Sequence, residues 1–398
     1  MKGILKTAAV LWAGAGMFEF ASADATGLFF GKLAEGSEMD RLWSVPVFYH
    51  DEANPILQEL ALQGSLQTQY AYGSDDSGNY GSGDMPENCT WGDTEVRRFR
   101  LGLKARLFEH LKFHSLLDLY PDISPRVYKR TAEVYFTWTV SDVFSVSAGK
   151  TELKFSREQE ISSRDLLVFE RSQLVNQMYG GELTGAWISG KNIAGGWLYE
   201  TGAYSNDRSD ELSGLEGGTM ILSKIGCNYT KLTRFDSALA QLHYLHNTDP
   251  GYVSTGDPAS PSYSDSIAVS NELSKGPYGL TTEIFWADGA KGRPDIFGIT
   301  AMPTYSFSKE LQLITTFQLD TSPQDNGVFL PTRYEGQTPD DGDKSGDLYF
   351  AGYAGLNYYF SGQKLKVMSG VKYTGMDGGT GGGDFNGWTL LAGLRMAF

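Results

Sequence analysis

Trp388-Thr389-Leu390-Leu391-Ala392-Gly393-Leu394-Arg395-Met396-Ala397-Phe398 closes the chain. Trp388, Leu390, Ala392, Leu394, Met396 and Phe398 fall on one face of an extended strand, and Thr389, Leu391, Gly393, Arg395 and Ala397 fall on the other. Strict alternation over about ten residues is the length a tilted strand needs to cross a bilayer core. An apolar face backed by one that carries Arg395 suits a wall with lipid on one side and water on the other.

The same period recurs about sixteen times. The predicted strands are 59–72, 95–108, 111–120, 130–140, 144–155, 180–189, 194–204, 219–229, 237–246, 264–273, 278–287, 296–307, 311–320, 347–360, 365–375 and 388–398. Their connections alternate between short turns, such as Glu109-His110 and Ser141-Asp142, and long polar loops, such as Gly73 to Thr94 and Thr321 to Gly346. Short turns on one rim and long loops on the other predict an all-β transmembrane antiparallel barrel. A sandwich or propeller has no reason to sort loop length by parity. No later segment has the apolar run of a membrane helix, so a closed barrel is what allows every backbone group in lipid to be paired.

Residues 1–23 read as a signal peptide: Lys2 and Lys6 precede an apolar run from Ala8 to Phe20, and cleavage is expected after Ala23 or Ala25. Residues 26–57 lie outside the strand pattern and are expected to form a periplasmic or plug-like segment, with the barrel over residues 58–398. The net charge of −15 argues against nucleic acid as a partner. Cys89, expected in a long loop, and Cys227, expected on the lipid face, are read as free thiols rather than a bridge.

Alternation also assigns charges to the lumen. With Phe99, Leu101, Leu103, Ala105 and Leu107 outward, Arg98, Arg100, Lys104 and Arg106 point inward at roughly 7 Å intervals. Lys112, Lys366, Lys372 and Arg395 join them in one sector, because the first and last strands meet. Such ladders are how pores favour anions. The inward acids Asp118, Glu133, Glu182, Glu200, Glu283 and Asp320 are spread around the wall. The loop Ser156 to Tyr179 embeds Ile161, Leu166, Leu167, Val168 and Phe169 among charges. Folding into the barrel would bury these, and Arg157, Glu158, Glu160, Arg164, Asp165, Glu170 and Arg171 would then narrow the channel.

The run Arg97-Arg98-Phe99-Arg100-Leu101-Gly102-Leu103, followed by Ala132-Glu133-Val134-Tyr135-Phe136, Ala148-Gly149-Lys150, Ser162-Ser163-Arg164 and Phe169-Glu170-Arg171-Ser172, resembles the phosphate-selective porin O and P family. The resemblance implies a sixteen-stranded trimeric diffusion channel in the outer membrane of a diderm bacterium, with an inward third loop and basic pore residues. It places Lys150, Arg164 and Arg171 near a constriction, has Phe169-Glu170-Arg171 anchor the loop, and makes Phe398 the barrel-insertion signal. The acidic chain and the acids of this loop depart from a phosphate-selective pattern.

Asp341, Asp343 and Ser345 match the first half of a calcium loop, but Gly352 stands where the closing Glu is needed. No His pair has metal spacing and no catalytic triad is apparent, so no cofactor and no enzymatic activity are expected. The expectation is a porin that passes small hydrophilic solutes or ions, possible anion preference included. The rival is a non-conducting surface, adhesin or anchoring barrel.

Overall fold

In a bilayer the strands have no water to satisfy their N–H and C=O groups, so each must find a neighbour on both sides. The computed structural model describes residues 38–76, 89–121, 126–193, 195–254, 257–258, 260–337, 344–379 and 383–398. The expected signal peptide and the candidate ligands Asp341 and Asp343 lie outside the described residues. Sixteen strands form one antiparallel ring. They are β1 (Leu57–Asp75), β2 (Cys89–Leu107), β3 (Leu111–Leu119), β4 (Tyr128–Ser141), β5 (Phe144–Glu152), β6 (Glu182–Ile193), β7 (Trp197–Ser205) and β8 (Thr219–Asn228). The ring continues through β9 (Ser237–Asn247), β10 (Tyr263–Lys275), β11 (Tyr278–Gly289), β12 (Ile296–Ser306), β13 (Leu311–Thr321), β14 (Leu348–Tyr359), β15 (Leu365–Asp377) and β16 (Phe385–Ala397). Each strand pairs with its sequence neighbours, and β1 also pairs with β16, from Ser65↔Ala397 to Asp75↔Gly387, which closes the ring. Cys89 opens β2 rather than lying in a loop. Cys227, near the end of β8, is a free thiol.

Sidedness follows the pleat. On β16, Trp388, Leu390 and Leu394 are 37–46% exposed, whereas Thr389 and Arg395 are 3% exposed. Outward-facing Phe136, Trp138, Trp197, Ile225, Val269, Ile284, Phe317, Leu356 and Val371 carry the same band around the wall. Aromatics collect towards its edges, such as Tyr278, Phe307 and Phe360 by the short turns and Trp286 and Tyr373 by the long loops.

The early stretch forms helix α1 (Glu38–Ser44) and a short strand, Val47–His50, which pairs with the start of β1. This strand continues the line of β16: Gly64 N–H bonds to the Phe398 carbonyl, and Leu62 N–H bonds to the Pro46 carbonyl. Trp43 lies under the Lys364 ammonium of a short turn, 5.8 Å from ring centre to nitrogen. The segment therefore seals the seam at the short-turn rim.

Gly149 on β5 sits at φ 136°, and a Cβ there would fall 2.2 Å from the Val134 carbonyl oxygen. Gly149→Val should lower the temperature at which the barrel's compact gel band converts to its unfolded form by about 5 °C, because the strain is worth roughly 1–3 kcal/mol. Gly352→Ala, with nothing within 4 Å of the added carbon, should leave it unchanged.

Candidate functional site

The connection from β5 to β6 turns into the lumen. Ser156 caps helix α2 (Arg157–Glu160), its Oγ accepting the Gln159 N–H at 3.1 Å, and helix α3 (Gln173–Gln177) follows. The segment spans the interior because its apolar residues pack on two sides. Val168 and Phe169 lie among Ala71, Trp91, Ile314, Tyr353, Met368 and Leu391, on β1, β2 and β13 to β16. Leu174, Val175 and Met178 lie among Trp187, Tyr204, Met220, Leu222 and Leu245, on β6 to β9. Burying each such side chain contributes roughly 1.5–3 kcal/mol against the conformational entropy lost in ordering the loop.

Polar groups fix its register. Arg395 donates from Nη1 to the Ser163 and Leu166 carbonyls at 3.2 Å each and from Nη2 to the Phe169 carbonyl at 2.6 Å. Lys366 Nζ donates to the Leu166 carbonyl at 2.7 Å, and Asn357 Nδ2 to the Leu167 carbonyl at 2.8 Å. The wall carboxylate of Glu283 accepts the N–H groups of Arg157 and Glu158. In return Glu160 reaches Lys224, Gln241 and His243, while Arg157 bonds Glu272 at 2.8 Å. Within the loop, Arg171 donates to the Glu158 and Ile161 carbonyls, and Ser172 Oγ donates to Glu158 at 2.6 Å.

Glu170 is the junction. It accepts Arg97 Nη2 at 2.9 Å, with Arg98 at 4.0 Å and Arg333 at 3.6 Å. Burial opposes its charge, but the Arg97 bond and charge, with Arg98 and Arg333, outweigh that and hold its carboxyl down at about 2. Glu160 is likewise buried and held below the usual carboxylate range by His243 and Lys224.

Arg97 was invisible to alternation. Gln67 pairs with Arg98 but Thr68 with Val96, so Arg97 is a bulge residue and inward parity switches there. Glu95 is inward for the same reason, meeting Gln69 at 2.9 Å. The inward basic residues of β2 are matched by acids: Arg98 by Glu170, Arg100 by Asp118 at 2.5 Å, Lys104 by Glu59 at 2.9 Å and Arg106 by Glu52. Arg130 links Asp118 and Glu182 in the same network, at 2.8 and 2.7 Å. Lys112 is exposed, with no carboxylate within 4.0 Å among the described residues. Arg164 is half exposed beside Asp165.

Three expected positions need correction. Lys366 and Arg395 point inward but are 0% and 3% exposed, so they lie beneath the loop and hold it rather than line open water. Lys150 is not at the constriction. It is 1% exposed, and its Nζ bonds the Ser209 carbonyl of the β7–β8 loop, so it holds that loop rather than lining open water. The Asp210 carbonyl and the Ser213 N–H of that loop bond Thr131 and Thr184.

A second loop, between β13 and β14, also turns inward, which strand alternation does not reveal. Val328, Leu330 and Tyr334 are buried, Tyr334 stacks on Trp91 at 5.6 Å, Arg333 bonds Glu95, and Glu335 pairs with Lys372 at 2.9 Å. Its embedded Val328, Phe329, Leu330 and Tyr334 carry the same signal as the first loop. Between the two loops and the wall of β11 to β16 lies a cavity of about 610 Å³ with both charges and apolar groups in its lining. Among the described residues, no cluster of three His, Cys, Asp or Glu could hold a metal. A cavity lined by charged and polar as well as apolar groups suits small hydrophilic solutes.

Removing the Arg395 anchors should loosen the loop. Arg395→Gln should speed tryptic cleavage after Arg164 by about tenfold or more, since up to three buried carbonyls lose a charged donor. A depressed carboxyl pKa stabilises above the ordinary value of 4.5 and loses that contribution as pH falls towards about 2. Protection at Arg164 in the unaltered protein, read with an acid-tolerant protease, should therefore persist at pH 4 and fail near pH 2.

The sequence profile described as phosphate-selective porin O and P matches residues 72–378. The anion-selective porin from Comamonas acidovorans superposes with a TM-score of 0.55 at 12% identity, over 85% of this chain and 99% of that one. Outer-membrane expressed OmpT of Vibrio cholerae superposes at 0.53 and 11% identity, over 88% and 100%. OprB of Pseudomonas putida does so at 0.53 and 12% identity, over 84% and 94%. At these identities the likeness is one of fold. No curated protein sequence matches the chain. A closed sixteen-strand barrel matched over residues 72–378 belongs to the phosphate-selective porin O and P family, and the chain is an outer-membrane porin, a passive diffusion channel.

Proposed function

We propose that this porin conducts small hydrophilic solutes past the two inward loops with a modest preference for anions, acts as a homotrimer, and catalyses no reaction. The observation that carries the preference is an imbalance in pairing. The arginine ladder is neutralised by Glu170, Asp118, Glu182 and Glu52, whereas Lys366 and Arg395 hold the loop through main-chain carbonyls. Among the described residues, Lys366, Arg395 and Lys112 have no carboxylate within 4.0 Å, which supports a basic excess on this part of the wall. Paired charges still shape the field, because fixed dipoles in a narrow pore are screened less than in bulk water. Residues assigned to the conducting path are Arg98, Arg100, Lys104, Arg106, Lys112, Lys372 and Arg164.

Arg98→Ser, Arg106→Ser and Lys112→Ser together should move the zero-current potential in a salt gradient towards cations. The shift should shrink at about 1 M salt, where the Debye length is roughly 3 Å. An unchanged potential at low salt would remove these residues from selectivity, and a purified barrel that conducts nothing in a planar bilayer would favour the anchoring alternative.

The trimer reading is supported by a broad aromatic outer face on β3 and β4, where Phe136 and Trp138 are 49% and 45% exposed and Phe113 pairs with Phe136 at 4.9 Å. Mass measurement in mild detergent should return three chains, and Phe136→Ser with Trp138→Ser should shift the population towards one.

A further inference from the structure

We propose that Arg293 forms a recognition site for small organic monocarboxylates at the long-loop end of the channel. Arg293 lies in the β11–β12 connection, and its guanidinium carbon stands 4.0 Å from the centre of the Phe329 ring, which comes from the second inward loop. Its Nε donates to the Tyr263 hydroxyl at 3.1 Å. The same hydroxyl accepts Gln177 Nε2 of the first loop at 2.8 Å, and Tyr263 is 4% exposed. Gln177 also joins the two loops, accepting the Phe329 N–H at 3.1 Å and donating to the Gly327 carbonyl at 2.7 Å. Wall, both inward loops and the β11–β12 connection therefore meet at one guanidinium.

The arrangement differs from every paired arginine of the lumen. Among the described residues no carboxylate lies within 4.0 Å of Arg293, and its side-chain hydrogen bond is the one to Tyr263. The aromatic face and the Tyr263 bond fix the plane of the group, leaving the Nη1 and Nη2 edge for a ligand. Arg293 is among the residues that line the cavity between the loops. A planar fork with two parallel N–H groups matches a carboxylate, and pre-orientation lowers the entropy lost on binding.

The neighbours set the ligand class. Phe329, Leu330 and Pro331 line the cavity beside Arg293 and give an apolar body a surface to cover. Arg333 and Lys372, which also line it, are committed to Glu95 and Glu335. One uncommitted guanidinium balances one negative charge, whereas a phosphate dianion would need a second. The volume of about 610 Å³ accommodates a small solute. The consequence for transport, that such carboxylates pause in passage, rests on the diffusion-channel reading; the binding itself does not.

The test is calorimetric titration of the full-length porin in detergent with sodium benzoate and, separately, with inorganic phosphate. Saturable benzoate binding is expected, weakened tenfold or more in Arg293→Gln and several-fold in both Arg293→Lys and Phe329→Leu, with phosphate binding weaker than benzoate. If Arg293→Gln does not give a heat-modifiable barrel, Phe329→Leu and Arg293→Lys decide the matter. Benzoate binding that is absent, or unchanged in the variants, or no tighter than phosphate binding, overturns the proposal. A barrel that binds benzoate yet conducts no current would overturn the channel reading and leave the site standing.

Discussion

Everything in this protein depends on the pairing of backbone N–H and C=O groups where no water can reach them. Lipid cannot accept or donate hydrogen bonds, so an open sheet edge in the bilayer would leave a row of costly unpaired groups. Pairing of β1 with β16 removes that edge, and the short Val47–His50 strand continues the pairing where β16 has run out. Once the ring is closed, the pleat sorts side chains into lipid-facing and lumen-facing sets without further instruction.

The lumen then poses a second problem. A ring of sixteen strands encloses more space than its own side chains fill. Two loops occupy it, and they are held by complementary means. Apolar side chains such as Phe169 and Leu174 supply the driving force, while Arg395, Lys366 and Glu283 fix where each carbonyl and amide ends up. A basic residue on the wall is therefore not automatically a contact for passing ions. Arg395 and Lys366 are spent on loop carbonyls, and Arg98 and Arg100 are matched by carboxylates. Among the described residues this matching leaves a mixed lumen surface rather than a uniformly basic one.

The two loops are also coupled to each other. Glu170 of the first meets Arg333 of the second, Arg333 bonds Glu95 on the wall, and Gln177 of the first loop accepts an N–H from Phe329 of the second. Rearranging one loop would strand buried polar groups of the other, a cost of about 1–3 kcal/mol for each group left unpaired. The pair should behave as one element rather than two independent gates.

The terminal run Trp388 to Phe398 and its fifteen counterparts were enough to read the barrel, its strand count and its two rims, because period-two alternation is a local property that lipid and water enforce on every strand. The inward course of the Ser156 to Tyr179 loop was also legible, in apolar residues that a solvated loop has no use for. Three things were decided only in three dimensions. The bulge at Arg97 switches parity, and a one-residue irregularity leaves no trace in composition. Lys150 is buried against the Ser209 carbonyl of a loop from another hairpin, a contact no local pattern encodes. Above all, which cations are paired depends on acids far away in the chain, as Arg333 with Glu95 or Lys224 with Glu160. Alternation says which way a side chain points; only closure of the ring says what it meets.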